Sequence, residues 1–323
     1  MNTIRWGIIG VGDVTEVKSG PAFYKAAHSQ LVAVMRRDAA KAADYARRHG
    51  VPRWYTDADA LIHDPEVDAV YIATPPDSHA PYALRVAAAG KPCYVEKPMA
   101  LNYAECAVMV DAFEKRGLPL LVAYYRRCLP SFLKVKSLID EGALGSVRAV
   151  NVRLVQPVKP ADREQAWRVR PEVSGGGHFH DLAAHQFDFL DFMLGPVVEA
   201  RGMTGNQAGL YAAEDIVTAL FRFRSGVLGS GTWCFTAAPA AAEDTVEIIG
   251  DRGKVTFSSF TSAPVRFTGE GGAQAWELPY PSHVQQPLIQ AVVDQLRGVG
   301  ECPSTGVTAA RTSRVLDWVT GRG

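Results

Sequence analysis

Between residues 4 and 123, six short, mostly apolar runs alternate with five helical stretches, and few folds accept that rhythm. The runs are 4–9, 31–35, 53–55, 67–73, 92–96 and 119–123. Between them lie helical stretches: one reaching about residue 27, then 39–49, 57–62, one capped by Asp77 and running to 89, and 102–116. Gly50 and Gly90 stop two of them, as glycine does past a helix end. Near-continuous apolar strands separated by helices mean a parallel sheet covered on both faces, hence an α/β, doubly wound domain. Such sheets bind ligands beyond the carboxyl ends of their strands. The turns at 10–15, 74–79 and 96–98 all fall there and are expected to line one crevice.

The first of these turns is Gly10-Val11-Gly12-Asp13-Val14-Thr15, entered from a strand and left by a helix. Glycines at Gly10 and Gly12 permit a tight turn and let a pyrophosphate approach the backbone, while the helix start at Asp13 and Val14 offers N–H donors. The second strand ends in Arg36-Arg37-Asp38, where NAD enzymes carry an acid for the ribose 2′-hydroxyl. A guanidinium fork suits a 2′-phosphate, so NADP is expected over NAD, with NAD possible because Asp38 can also reach a ribose hydroxyl. The alternative keeps both arginines in solvent and leaves Asp38 as a helix cap. The third turn, Glu96-Lys97-Pro98, sets a cation beside an anion at a strand end. An isolated Glu-Lys-Pro is also compatible with a solvated loop lysine.

After Tyr124-Tyr125-Arg126-Arg127 the rhythm changes. A helix is expected over 130–141, a strand over 147–155, a Pro- and Gly-rich loop over 156–177 containing Trp167-Arg168, and a helix over 180–194. Strands follow at 196–204, 215–224, 226–236, 244–250, 253–258 and 264–268, then helices at 283–297 and 306–320. Strands joined by short turns such as Ser225-Gly226 form an antiparallel sheet, so the second half reads as an α+β domain with a mostly antiparallel open sheet. A chain of 323 residues exceeds what one core usually organises, and the boundary is placed between a domain at 1–124 and one at 125–323.

Composition closes off several classes. The formal charge is zero with no basic or acidic block, which argues against nucleic acid or an anionic membrane as partner. No apolar run approaches the ~18 residues of a membrane span, and the N-terminus lacks the apolar core of a secretory signal. Five scattered cysteines without a Cys-x-x-Cys pair fit a reduced, cytoplasmic protein.

The segment Gly175-Gly176-Gly177-His178-Phe179-His180-Asp181-Leu182-Ala183-Ala184-His185 carries the remaining chemistry. Asp181 and His185 stand four apart, so a helix puts them on one face, flanked by His178 and Asp188. The glycines before them permit close backbone approach to a ligand. A histidine titrating near neutrality can take the proton of an alcohol, Asp181 can orient it, and Lys97 can polarise the oxygen. A zinc site has the ligand types but not the His-Glu-x-x-His spacing, so no metal is expected. A purely structural reading has Asp181 capping the helix and His185 packed in an interface.

With these residues in view, the chain resembles the Gfo/Idh/MocA oxidoreductases, named for glucose–fructose oxidoreductase and inositol dehydrogenase. The matching stretches are Gly7-Ile8-Ile9-Gly10-Val11-Gly12, Ala73-Thr74-Pro75-Pro76-Asp77-Ser78-His79, 89–98 with its Glu96-Lys97-Pro98, and the triple-glycine segment through Asp181, His185 and Asp188. The resemblance implies a Rossmann domain followed by an open sheet whose exposed face builds homodimers or homotetramers. It implies Lys97, Asp181 and His185 as catalytic residues. Thr74, Pro75, His79, Glu96, Trp167 and Arg168 are implied at the cofactor, and Tyr125, His178 and His180 at the substrate. The implied activity is oxidation of a sugar or polyol hydroxyl, or reduction of the matching ketone. Thr15 and Ala183 depart from the family pattern, which has a smaller residue at the first position and glycine at the second. Two other classes share the architecture: a nicotinamide-dependent glycoside hydrolase and a non-catalytic NADP-binding sensor.

Overall fold

The apolar runs of the first half become a parallel sheet in the computed structural model, which describes residues 2–322. Its strands are β1 (Ile4–Ile9), β2 (Ser29–Met35), β3 (Arg53–Tyr55), β4 (Ala69–Ile72), β5 (Cys93–Val95) and β6 (Leu120–Val122), in the order β3-β2-β1-β4-β5-β6. The crossovers are helices α1 (Asp13–Val17), α2 (Gly20–Lys25), α3 (Ala39–His49), α4 (Ala58–Ile62), α5 (His79–Ala88) and α6 (Tyr103–Glu114). Strand order reverses between β1 and β4, which creates the switch point where ligands bind in such sheets. Register makes the strand ends level: Ile9 pairs with Met35 on one side and Ile72 on the other, and Ile72 pairs with Val95. Trp6, Phe23, Tyr71 and Tyr94 pack as a chain of rings beneath, with centroids 5.0 Å apart at the Trp6–Phe23, Phe23–Tyr71 and Tyr71–Tyr94 steps.

Two local expectations change here. The helix expected to reach residue 27 is broken into α1 and α2, because Pro21 enters at the second helical position and Gly20 lies so close to the chain that a Cβ would meet the Thr15 carbonyl oxygen at 2.0 Å. Asp77 sits inside a single 3₁₀ turn, Pro76–Ser78, so α5 starts after Ser78 rather than on an Asp77 cap. Asp38 does cap α3, accepting from the Lys41 N–H at 3.1 Å, and Asn102 caps α6.

The second half contains α7 (Pro130–Asp140), β7 (Val147–Val155), α8 (Pro160–Arg163), α9 (Pro171–Ser174), α10 (Gly177–Leu194), β8 (Val197–Gly205), β9 (Ile216–Phe223), β10 (Leu228–Cys234), β11 (Glu243–Gly250), β12 (Gly253–Phe257), β13 (Val265–Gly269) and β14 (Gly272–Trp276). These strands form one sheet in the order β14-β13-β12-β11-β7-β10-β9-β8, antiparallel except where β10 runs parallel to β7. Burial alternates along β9, so one sheet face is covered and the other is open. Helix α10 fills the covered face. Its Phe179 meets Trp233 at 5.1 Å, Phe187 meets Phe221 at 5.2 Å and Phe189 meets Phe257 at 5.6 Å. Each ring so buried contributes roughly 1.5–3 kcal/mol. Three differences from expectation appear: α10 begins at Gly177 rather than 180, the loop at 156–177 holds two short helices, and β14 was not expected. Its Gly272-Ala273-Gln274-Ala275-Trp276 lacks the β-branched residues that mark a strand.

The chain closes with α11 (Gln286–Arg297) and α12 (Gly306–Thr320). Two compact units result, one of residues up to Tyr125 with Pro281–Ala310, the other of Arg126–Tyr280 with residues from Arg311 on. The expected single boundary after residue 124 is therefore corrected, since 281–310 returns to the first unit. Long-range contacts hold it there: α11 packs on α2 and β1, and Thr305 bridges to Leu121 of β6. Among the described residues no helix is long and apolar enough to cross a membrane.

Candidate active site

The first unit brings its three turns together through the backbone. Gly10 has φ +94, and a Cβ there would meet Thr74 Cγ2 at 2.5 Å and Thr74 N at 2.9 Å, so only glycine lets the first turn lie against the second. At Gly12 a Cβ would meet nothing within 4 Å, which leaves an open surface above the turn. Thr15, the residue out of pattern, is buried and serves the turn: its hydroxyl donates to the Gly12 carbonyl at 2.8 Å and accepts the Gly12 N–H at 2.9 Å. Arg36 leaves β2 beside this turn and its guanidinium donates to the Val11 carbonyl at 2.8 Å, while Arg37 is exposed.

His79 joins the second turn to the third. It is fully buried, with Nε2 2.7 Å from the Thr74 carbonyl oxygen and Nδ1 2.9 Å from that of Pro98. Burial holds its imidazole below the ordinary histidine range, so the neutral ring donates to one turn or the other according to tautomer. Pro75 precedes the 3₁₀ turn as its N-cap, and Ser78 Oγ donates to Thr74 Oγ1 at 2.7 Å.

Lys97 emerges half-buried from the end of β5. Its backbone N–H donates to Glu96 Oε2 at 3.1 Å. Glu96 is itself fixed: Oε1 accepts from the Tyr71 hydroxyl and from Gln285 Nε2, both at 2.6 Å, and Gln285 Oε1 accepts from Tyr94 at 3.2 Å. Burial pushes the Tyr71 hydroxyl well above the ordinary phenol range, so it remains a donor. Tyr71 and Gln285 are supports that sequence reasoning missed. A tyrosine in an otherwise aliphatic central strand was a usable signal; Gln285, 189 residues from Glu96, gave none.

In the second unit α10 carries Asp181 and His185 one turn apart. Asp181 lies 3.6 Å from Arg168 Nε, and the Arg168 guanidinium stacks on Trp167 at 4.4 Å. His185 is 3 % exposed with its ring 6.1 Å from that of Phe260. Because the helix begins at Gly177, Asp181 is not its cap. The approach that the glycines permit is made within the chain: a Cβ on Gly176 would strike His180 Nδ1 at 2.1 Å, and one on Gly177 would strike Ala213 Cβ at 2.4 Å.

His178 and His180 are 2 % and 3 % exposed. His178 Nε2 lies 2.7 Å from Asp162 Oδ1, and His180 Nδ1 lies 3.4 Å from Glu214 Oε1. Asp188 makes a two-pronged pair with Arg127, each N···O distance 2.8 Å, and Asp191 links Arg127 to Arg311. Burial pushes the Asp188 carboxyl up to about 6 against the opposing guanidinium. Tyr125 is buried at the last position of the first unit's opening segment.

Residues 4–124 match the model of the oxidoreductase family with an NAD-binding Rossmann fold, and residues 132–256 match the GFO/IDH/MocA C-terminal domain. The chain belongs to the Gfo/Idh/MocA family of oxidoreductases. Oxidoreductase P35 of Formosa agariphila is 42% identical over 317 residues, 97% of either chain. The 1,5-anhydro-D-fructose reductase of Ensifer adhaerens is 29% identical over 94% of this chain and 91% of its own. Levoglucosan dehydrogenase, solved with NADH and levoglucosan, superposes with a TM-score of 0.89 at 22% identity, covering 99% of this chain and 96% of that one. As a Gfo/Idh/MocA oxidoreductase the chain is an enzyme, and its first unit is an NAD-binding Rossmann fold.

Proposed function

We propose that this enzyme interconverts a sugar or polyol hydroxyl and the matching ketone, with NADP preferred and NAD accepted. The observation that carries the reading is the level arrangement of Gly10, Thr74 and Lys97 at the ends of three neighbouring strands, with Arg36 beside the first. The open surface at Gly12 and the N–H groups of Asp13 and Val14 would receive the pyrophosphate. Arg36 and Arg37 would face the 2′-phosphate, and Thr74, Pro75, His79 and Glu96 would fix the turns beneath the nicotinamide. Bound there, the nicotinamide supplies or accepts a hydride.

The chain's own residues then handle the oxygen and its proton. Lys97, held through its backbone by Glu96, stabilises the carbonyl oxygen. His185 takes the hydroxyl proton, and Asp181 orients the hydroxyl and the imidazole. Tyr125, Trp167 and Arg168 contribute to cofactor and substrate binding. The relatives' names, a fructose-derivative reductase and a levoglucosan dehydrogenase, favour the sugar class. Met203, Leu220 and Leu228, 81%, 68% and 61% exposed on strands β8 to β10, favour a homodimer or homotetramer built on that sheet. A cytoplasmic location completes the reading.

The test follows NADPH absorbance with NADP or NAD and a panel of sugars, inositols and sugar ketones. Turnover with one class, faster with NADP, is the expected result. Silence across the panel with cofactor binding intact would overturn the substrate class. Arg36→Asp with Arg37→Ser should reverse the cofactor preference by at least tenfold, about 1.4 kcal/mol, and an unchanged preference refutes the 2′-phosphate contact.

A further inference from the structure

Asp162 and His178 lie sixteen residues apart and are each about 2 % exposed. Both oxygens of the Asp162 carboxylate are engaged: Oδ1 with His178 Nε2 at 2.7 Å, and Oδ2 with the Lys159 backbone N–H at 2.9 Å. The contact therefore ties the segment holding α8 to the second residue of α10. Five residues beyond α8, the same segment presents Arg168, whose Nε lies 3.6 Å from Asp181 on the next turn of α10. Two further contacts seat the segment on the loop at 206–215, and a third seats the start of α10 there. Val169 packs with Tyr211 and Ala213, Gln165 Nε2 donates to the Leu210 carbonyl at 2.7 Å, and Gly177 of α10 lies against Ala213.

We propose that His178 and Asp162 are positioning residues, a buried latch that sets Arg168 against Asp181, in place of the substrate contact expected of His178. The latch works only with a neutral imidazole. Nε2–H donates to Asp162, and Nδ1 has no hydrogen-bond partner among the described residues. A second proton would place an unanswered N–H in a pocket walled by Phe235 and Tyr211, whose ring centroids are 5.3 and 6.1 Å away. The charged groups around the ring are Asp162 and Lys159 from the α8 segment and Asp181 from α10 itself. Tyr211, on the 206–215 loop, has Asp215 and Glu214 beside it, and Cys234 ends β10. Burial outweighs the pull of Asp162 and holds the imidazole below its ordinary range. A proton thus binds the released ring better than the latched one, and the latch loosens as pH falls below the ordinary histidine value of about 6.5.

The inference rests on the proposed function for its kinetic arm alone, so the experiment opens with a readout that needs no substrate. Hydrogen exchange at 159–170 is followed in the full-length enzyme at pH 7 and 5.5, corrected for intrinsic rates. Asp162→Ala should raise exchange in this segment about tenfold and leave β1 to β6 unchanged. In the parent enzyme the drop in pH should raise it as well, by less than tenfold. His178→Gln keeps a donor for Asp162 without a titrating proton, so it should match the parent at pH 7 and lose the pH response. In turnover, Asp162→Ala should lower kcat/KM at least tenfold. Combined with Arg168→Ala it should be no worse than Arg168→Ala alone. Unchanged exchange in Asp162→Ala, or losses that multiply with Arg168→Ala, would overturn the latch. Should Asp162→Ala not fold, His178→Gln decides: a pH response like the parent's overturns the proposal, and its loss supports it. Exchange that responds while no sugar is turned over would sink the substrate reading and leave the latch standing.

Discussion

The two units place their functional residues by different means. In the first, strand register does it: Gly10, Thr74 and Lys97 follow strand ends that pair level, and the bonds that fix them are mostly to backbone. In the second, buried side-chain pairs do it: α10 is held by the ion pairs of Arg127 with Asp188 and Arg311 with Asp191, and by the neutral His178 donating to Asp162. A sheet spreads positional information over many hydrogen bonds, so losing one side chain leaves the frame in place. A buried ion pair concentrates it, and removing one partner strands the other charge out of water.

That contrast is open to test. Lys97→Ala removes a side chain from a frame made of backbone. Turnover should fall by about 10⁴-fold, close to 5 kcal/mol, with melting temperature and cofactor Kd nearly unchanged. A large loss of thermal stability would show that the side chain, not the register, holds the turn. Arg127→Ala should do the opposite, lowering stability by about 3–5 kcal/mol in denaturant unfolding, because Asp188 and Asp191 lose their shared partner in the interior. A loss below about 1 kcal/mol would dissolve the distinction between the units.

Within the first unit, glycine substitutions sharpen the point. Gly10→Ala forces a left-handed φ and a clash with Thr74 backbone, so a loss of about 1–3 kcal/mol in stability is expected. Gly12→Ala meets open space, and melting should not move while cofactor affinity drops. Equal melting losses for both would contradict the open surface. The smallest effect concerns Glu16 on α1, paired with Arg48 at 2.6 Å and His49 at 3.0 Å on α3. Arg48 holds its carboxyl down to about 2. A depressed carboxyl stabilises the fold above its unfolded pKa and loses that contribution as pH falls through the folded one. The side chain is a third exposed, so Glu16→Gln should cost at most about 1 kcal/mol at pH 7 and nothing near pH 2.

Legibility followed the same divide. The parallel strands were readable because all but β3, which is Arg53-Trp54-Tyr55, are mostly apolar runs between helical stretches, and the turns at Gly10, Thr74 and Lys97 carry residue types with few alternative uses. The α1–α2 break was present in Gly20-Pro21 but outweighed by the apolar residues around it. On α10 the i,i+4 spacing of Asp181 and His185 was readable, whereas the partners of His178, His180 and Asp188 were not. Asp162 and Arg127 are ordinary charged residues that are buried, and Glu214 half-buried, only after the loops around them close. Strand β14 escaped notice because Ala and Gly at its core say nothing about pairing.

The sequence by itself determined the alternation, the positions of the glycine turns and the reactive residue types, because periodicity and backbone freedom are local properties that neighbouring residues settle. Tertiary structure alone decided which carboxylate each buried cation or histidine faces, and that the segment at 281–310 returns to brace Glu96 through Gln285. Those choices depend on desolvation and on distances between residues far apart in the chain, and no local pattern encodes either.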